Sequence, residues 1–340
     1  MTRSLPITKR MVWEAYRKVS SNRGGAGVDK VSLSAFDRDL KNHLYVLWNR
    51  LSSGSYFPPP VREVEIPKGN GKTRKLGIPT VSDRIAQQVV KDWLEPRLEP
   101  HFHEHSYGYR PYRGAQGALR EVRRNIRDYA WVVDMDIKAF FDEVDHGLML
   151  KALGRHVPEK WIKLYVVRWL GAPSQDAEGQ LSERKGKGTP QGGVISPLLA
   201  NLYLHYAFDK WMDIAHPSLR FVRYADDVVI HCRTQGEAEA VLASVKDRLA
   251  ACNLRLSVEK TKIVHCRDYR RRKEDAPEGF DFLGYRFQPR PKRSRRGGMF
   301  LGYDCAVSPK SKKRIAQKWK DLRLHLRTSD RLEDMVALVS

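Results

Sequence analysis

Phe221-Val222-Arg223-Tyr224-Ala225-Asp226-Asp227-Val228-Val229-Ile230 sets two adjacent carboxylates between two apolar runs. The flanking β-branched and aromatic residues predict two strands, with the acidic dipeptide in the turn that joins them. An Asp-Asp pair often does no more than make such a turn. Between apolar strands, however, the two charges are expensive to desolvate and repel each other, a conflict that a bound cation relieves. A third acid closes another short apolar run, Trp131-Val132-Val133-Asp134-Met135-Asp136-Ile137. Hard carboxylate oxygens suit Mg2+, with Mn2+ as a substitute. Two such ions about 3.5 to 4 Å apart activate a 3′-hydroxyl, stabilise an in-line transition state and hold leaving pyrophosphate. The chemistry implied is nucleotidyl transfer.

The composition narrows the partners. Among 340 residues, 62 Lys and Arg stand against 40 Asp and Glu, a formal charge of +22 that favours polyanions, and nucleic acid above all. A length of this order suggests two or three compact units, and 41% hydrophobic residues can fill a core in each. No run of about 18 apolar residues occurs, and the amino terminus lacks the apolar stretch of a secretion signal, so no membrane partner is expected and the chain reads as cytoplasmic. Cys232, Cys252, Cys266 and Cys305 are scattered without a CxxC pair, which argues against a zinc ribbon or a disulfide framework.

Helical periodicity dominates up to Tyr56, where Pro58-Pro59-Pro60 breaks it. A basic hairpin follows: Arg62 to Ile66 alternates like a strand, Gly69-Asn70-Gly71 turns, and Thr73 to Ile78 returns, with Lys68, Lys72, Arg74 and Lys75 near the tip. Helices are expected from Asp83 to about Pro96, over Ala115 to Tyr129, Leu148 to Val157, Trp161 to Leu170, Pro197 to Trp211 and Gly236 to Ala251. Strands are expected at Leu254 to Ser257, Thr261 to Cys266 and Phe280 to Phe287. This mixture lacks strict βα alternation and predicts an α+β fold. Two basic clusters, Arg270-Arg271-Arg272-Lys273 and Lys292-Arg293-Ser294-Arg295-Arg296, and a basic helix from Ser308 to Leu326 point to contact with RNA or DNA.

The motifs recur in a familiar order. Gly27-Val28-Asp29, Ile66-Pro67-Lys68, Arg74-Lys75-Leu76-Gly77-Ile78-Pro79-Thr80 and Ser106-Tyr107-Gly108-Tyr109-Arg110-Pro111 precede Asp136-Ile137-Lys138-Ala139-Phe140-Phe141-Asp142. Then come Gly188-Thr189-Pro190-Gln191-Gly192-Gly193-Val194-Ile195-Ser196-Pro197, Tyr224-Ala225-Asp226-Asp227, Leu256-Ser257-Val258-Glu259-Lys260-Thr261-Lys262, Phe282-Leu283-Gly284-Tyr285 and Ala306-Val307-Ser308-Pro309-Lys310. The chain resembles bacterial group II intron-encoded reverse transcriptases, the intron maturase family, from about Gly27 to its carboxyl end.

The resemblance implies a right-hand polymerase fold. It divides the chain into an N-terminal helical extension (1–56), fingers and palm (57–305) and the start of an incomplete thumb or maturase domain (306–340). It implies that Asp136, Asp226 and Asp227 hold two catalytic metal ions, with the Ile137 carbonyl a further ligand and Asp134 and Asp142 in support. Lys68 and Arg74 match the residues that clamp an incoming dNTP, which needs charge-assisted donors around its phosphates. Phe141, rather than Phe140, matches the steric gate against a ribose 2′-hydroxyl, Gln191 the contact beside the new base pair, and Lys260 a neighbour of the nucleotide. Phe282, Leu283, Gly284 and Tyr285 match the primer grip. The implied partners are an RNA template with a DNA or RNA primer, dNTPs, group II intron RNA and a second copy of the chain.

Alternative readings are an RNA-binding maturase fragment, a defence- or CRISPR-associated reverse transcriptase, and a two-metal nuclease. A pure RNA binder gains affinity for phosphates by losing acidic charges, so the intact acidic set favours a polymerase. A nuclease has no use for the nucleotide-selecting set Lys68, Arg74, Phe141 and Gln191.

Overall fold

The computed structural model describes residues 4–22, 24–67 and 73–322. The expected hairpin tip with Lys68 and Lys72, and the chain from 323 on, lie outside the described residues. Three helices come first: α1 (Lys9–Ser21), α2 (Leu33–Asp37) and α3 (Leu40–Ser52). The Thr8 hydroxyl accepts the Met11 N–H to start α1, which buries Val12, Ala15, Tyr16 and Val19, the spacing that gives a helix one apolar face. That face packs on α3 and on α4 (Val81–Leu98). Pro96, expected to end α4, lies inside it, and the helix continues to Leu98.

Strands β1 (Val61–Pro67) and β2 (Thr73–Ile78) form the expected antiparallel hairpin. Two short strands, β4 (Ser174–Gln175) and β5 (Leu181–Ser182), extend it into a sheet of order β2-β1-β4-β5, in which β1 and β4 run parallel.

The central sheet holds β3 (Trp131–Asp136), β6 (Arg220–Tyr224), β7 (Asp227–Cys232) and β8 (Lys262–His265) in the order β6-β7-β3-β8, every pair antiparallel. Side chains alternate across it. Trp131, Val133, Met135, Val228 and Ile230 enter the larger core with α9 (Ser196–Leu204) and α11 (Gln235–Ala251). Val132, Val222, Val229 and Val264 enter a second core with α5 (Ala115–Asn125), Phe280, Phe282 and Phe287. By the same alternation Asp134, Asp136 and Asp227 belong to the second face, at the end of the sheet.

Between β3 and β4 lie α6 (Phe140–Glu143), α7 (His146–Gly154) and α8 (Lys160–Leu170). Three elements differ from expectation. The helix expected over Pro197 to Trp211 is α9, one π-helical turn His205–Asp209, and α10 (Lys210–Ala215). The strand expected over Phe280 to Phe287 breaks at Leu283 and Gly284, whose φ values of 50° and 82° turn the chain from β9 (Phe280–Phe282) into β10 (Tyr285–Arg293). The segment Leu254 to Ser257 contributes one bridge, Leu256 to Ile137, instead of a strand. β10 pairs with β11 (Met299–Val307), and α12 (Pro309–Leu322) follows. The cysteines are unpaired, three of them buried. Among the described residues no helix is long and apolar enough to cross a membrane.

Candidate active site

Antiparallel register brings the acids together. Asp136 and Asp227 are directly opposed at the end of the β3–β7 pair, and Asp227 also faces Tyr224 across a two-residue loop, Ala225-Asp226. Ala225 takes a φ of 56°, the positive value that short hairpin loops need to follow strand twist. For a residue with a Cβ that costs about 1–2 kcal/mol. The surroundings enforce it. Arg223, fully buried, donates to the Ala225 carbonyl (3.1 Å), to Asn201 Oδ1 (3.1 Å) and to both oxygens of Asp209 (2.7 and 2.6 Å). Asn201 in turn donates to the Gly108 carbonyl at 2.6 Å. A Cβ on Gly108 would come within 2.5 Å of the Ala225 nitrogen, so only glycine permits this approach.

The electrostatics are those of crowded carboxylates. Burial, reinforced by the charges of Asp226, Asp136 and Asp134, pushes the Asp227 carboxyl up to about 7. Burial likewise raises Asp134 to about 6, against the pull of Lys262, whose ammonium lies 3.5 Å away. Lys260 Nζ bonds Asp136 Oδ2 at 2.8 Å. Partial burial works against the Lys260 ammonium, but the bond and the charges of Asp136, Asp227 and Asp226 outweigh it and hold its pKa above the ordinary lysine value. Among the described residues no three His, Cys, Asp or Glu side chains close on one point as a metal site. Asp136 is turned to Lys260 instead. Three neighbouring carboxylates, one of them raised by burial and by its like-charged neighbours, still form a hard-oxygen donor set that suits a divalent cation.

Ile137 is buried beside this set. Its bridge to Leu256 uses the Asp136 carbonyl, bonded by the Ser257 N–H, and the Lys138 N–H, bonded to the Arg255 carbonyl; neither bond uses the Ile137 carbonyl. The two phenylalanines separate. Phe140 is buried in the larger core, whereas Phe141 is half-buried at its margin, edge-on to Phe140 at 5.4 Å. The Phe141 carbonyl accepts the Thr189 N–H, which ties its backbone to the segment that leads into Gln191. That loop docks on the β1–β2 hairpin: the Gln191 carbonyl accepts the Gly77 N–H at 2.6 Å. A Cβ on Gly192, at φ 112°, would strike the Gly77 carbonyl at 2.4 Å. Arg74 is exposed on β2.

In the β9–β10 turn Phe282 is buried, Leu283 and Tyr285 are half-buried and Gly284 is exposed. The Gly284 carbonyl accepts the Ser308 N–H at 2.9 Å, and the Ser308 hydroxyl accepts the Ser311 N–H at the start of α12.

Sequence reasoning missed Tyr109 and the Arg223 network. Tyr109 has a φ of 56° and a half-exposed ring. Burial raises its phenol, helped by the nearby charges of Asp226 and Asp227 and opposed by Arg74, which places it at the mouth of the site. An arginine inside an apolar strand was the visible sign of the network; its partner, 14 residues earlier on a π turn, had none.

The reverse transcriptase (RNA-dependent DNA polymerase) family profile matches residues 66–287. Protein YkfC of Escherichia coli K12 is 35% identical over 325 residues, covering 84% of this chain and 82% of that protein. The group II intron-encoded protein LtrA of Lactococcus lactis is 35% identical over 199 residues, covering 58% of this chain and 33% of that protein. A telomerase structure from Candida albicans, in complex with a fragment of telomeric RNA, matches with a TM-score of 0.53 at 12% identity, covering 76% of this chain and 49% of that one. This last likeness concerns the fold, a right-hand polymerase arrangement. The chain thus spans a third of LtrA and about half of the telomerase. It belongs to the reverse transcriptase (RNA-dependent DNA polymerase) family.

Proposed function

We propose that the chain copies RNA into cDNA by two-metal nucleotidyl transfer in support of group II intron mobility, with Asp136, Asp226 and Asp227 as the metal-holding residues. The observation that carries this reading is the terminal pairing of Asp136 with Asp227, with Asp226 in the adjoining loop. When bound, Mg2+ supplies Lewis acidity toward a primer 3′-hydroxyl and the triphosphate. The protein groups do the placing. Lys260 orients the Asp136 side chain through its bond to Oδ2. Arg74 offers a cationic donor to the dNTP phosphates, and Lys68 is proposed beside it from its motif. Phe141 narrows the space available to a 2′-hydroxyl, Gln191 lies beside the new base pair, and the Phe282-Leu283-Gly284-Tyr285 turn holds the primer. The boundaries near residues 56 and 305 are proposed as those of helical extension, fingers and palm, and thumb.

The proposed substrates are dNTPs and a primed RNA template, and the proposed partners are intron RNA and a second copy of the chain. Primer extension on RNA with dNTPs and Mg2+ tests the reading. Wild type is expected to make metal-dependent cDNA, and Asp226→Asn to bind RNA and make none. Equal extension by both would reject these carboxylates. No extension by either, with intron RNA bound tightly, would favour a maturase role. Sedimentation of the purified chain decides the dimer.

A further inference from the structure

The two basic clusters look alike in sequence and differ in structure. In the first, Arg270 bonds Asp268 and the Arg127 carbonyl. Arg271 donates to the carbonyls of Cys266, Ile126 and Arg127, which ties it to the chain leaving α5. Arg272 and Lys273 are exposed, and Glu274 and Asp275 directly follow them in the chain. The two arginines at the head of this cluster serve the fold.

The second cluster is turned outward. β9 pairs only with the first three residues of β10, and six further β10–β11 pairs, from Gln288↔Asp304 to Arg293↔Met299, continue as a two-stranded ribbon. At roughly 3.3 Å per residue the ribbon extends about 20 Å beyond its root near Tyr285. Its tip is ordered: the Ser294 N–H bonds the Gly298 carbonyl, the Gly297 N–H bonds the Ser294 carbonyl, and Gly297 takes a φ of 87°. From Gln288 to Gly302 there are five Lys and Arg and no Asp or Glu. Lys292 is neutralised by Asp304 at 2.5 Å, an acid it shares with Arg123. Among the described residues Arg293, Arg295 and Arg296 have no carboxylate partner and are exposed. Like charges held on a narrow, solvated ribbon repel each other, and a polyanion relieves that repulsion.

Two further features select the partner. Pro289 and Pro291 have no N–H to give, so the ladder to β11 runs through Gln288, Arg290 and Lys292, and the prolines blunt the outer edge against another strand. That disfavours a partner strand along β10, and the Tyr269 N–H bonded to the Leu301 carbonyl occupies part of the β11 edge. Beside the ribbon, Tyr269 is 67% exposed, edge-on to Phe300 at 5.5 Å, and fixed by its N–H bond to the Leu301 carbonyl. Arginines match phosphates through bidentate bonds, and an exposed aromatic ring stacks an unpaired base. A folded RNA offers both, whereas a plain duplex offers phosphates only.

We propose that the β10–β11 ribbon is a second RNA contact outside the polymerase cleft, gripping the backbone of a folded RNA with Arg293, Arg295 and Arg296 and stacking an unpaired base on Tyr269. This goes beyond the polymerase reading and is measured without dNTPs, so the two stand or fall separately.

The test is fluorescence anisotropy of the full chain with an RNA stem-loop bearing unpaired bases, from about 50 to 300 mM KCl. R293A/R295A/R296A is compared with K151A/K160A/K163A, which removes the same charge from α7 and α8. The ribbon variant is expected to bind on the order of ten-fold more weakly and to flatten the log–log salt slope by about two to three. The α7–α8 variant is expected to change the slope by less than about one. Tyr269→Ala gives an independent reading: about five-fold or more lost on the stem-loop, little on a blunt DNA duplex of the same length. Equal effects of the two triple variants would reduce the ribbon to a share of the general field and overturn the proposal. So would equal losses from Tyr269→Ala on stem-loop and duplex.

Discussion

The Arg223 guanidinium and the Asp209 carboxylate, both wholly buried, meet fork to fork at 2.7 and 2.6 Å behind the Ala225-Asp226 turn. Asp209 reaches this position from the end of the π turn, a local widening that recurs at functional sites. Removing one member leaves the other charged and unpaired. Arg223→Met is expected to destabilise the chain by about 3–5 kcal/mol, and the double change R223M/D209L to recover much of that loss. Urea denaturation of both variants checks this; equal destabilisation would show that the charges are not coupled.

The bond from Lys260 to Asp136 Oδ2 implies competition between ammonium and metal for one oxygen. Lys260→Met is expected to tighten Mn2+ binding several-fold, the equivalent of about 1 kcal/mol for one partly exposed ion pair. An electron paramagnetic resonance titration of metal-free protein gives the answer directly, and weaker binding in the variant would refute the competition.

Phe141→Ala is expected to raise ribonucleotide use relative to dNTPs by up to about 100-fold, the discrimination an apolar wall can exert on one added hydroxyl. Phe140→Ala instead empties a core position and is expected to cost about 3–5 kcal/mol of stability. Comparing incorporation ratios with melting curves separates the two rings. A ratio unchanged in the Phe141 variant would remove the gate.

Two buried histidines predict an acid limit. Burial lowers His205 to about 4 despite nearby Asp209, which is already committed to Arg223, and lowers His231 to about 3. Both are neutral when folded and titrate near 6.5 when unfolded, so below that value the unfolded chain binds more protons. The stability they contribute is fully present above about 6.5 and is lost as pH falls toward their folded values. The urea midpoint should drop between pH 7 and 5, and His231→Phe should flatten that drop. An unchanged slope would mean that His231 is protonated in the fold.

The acidic set was legible because carboxylates inside apolar runs conflict with burial, and that conflict is written in the sequence itself. The antiparallel hairpins followed from alternation and turn residues. The motif match singled out Phe141 over Phe140, but spacing alone could not show how differently the two rings are buried: Phe140 enters the core and Phe141 stays at its margin. β11 escaped because Met299 to Val307 lacks clean alternation, and Gly302 is there to clear the Lys292 stem, which a Cβ would meet at 2.7 Å. Asp209 escaped because a π turn shifts the phase that helical periodicity assumes.

The hydrogen bond from the Ser308 N–H to the Gly284 carbonyl gives α12 an axle. A Cβ on Gly284 would press on the Ser311 hydroxyl at 2.9 Å, so turn and helix start sit flush against each other. α12 therefore cannot tilt about its first residues without loading the β9–β10 turn, and a lever at the periphery is geared to the loop proposed to hold the end of the growing strand.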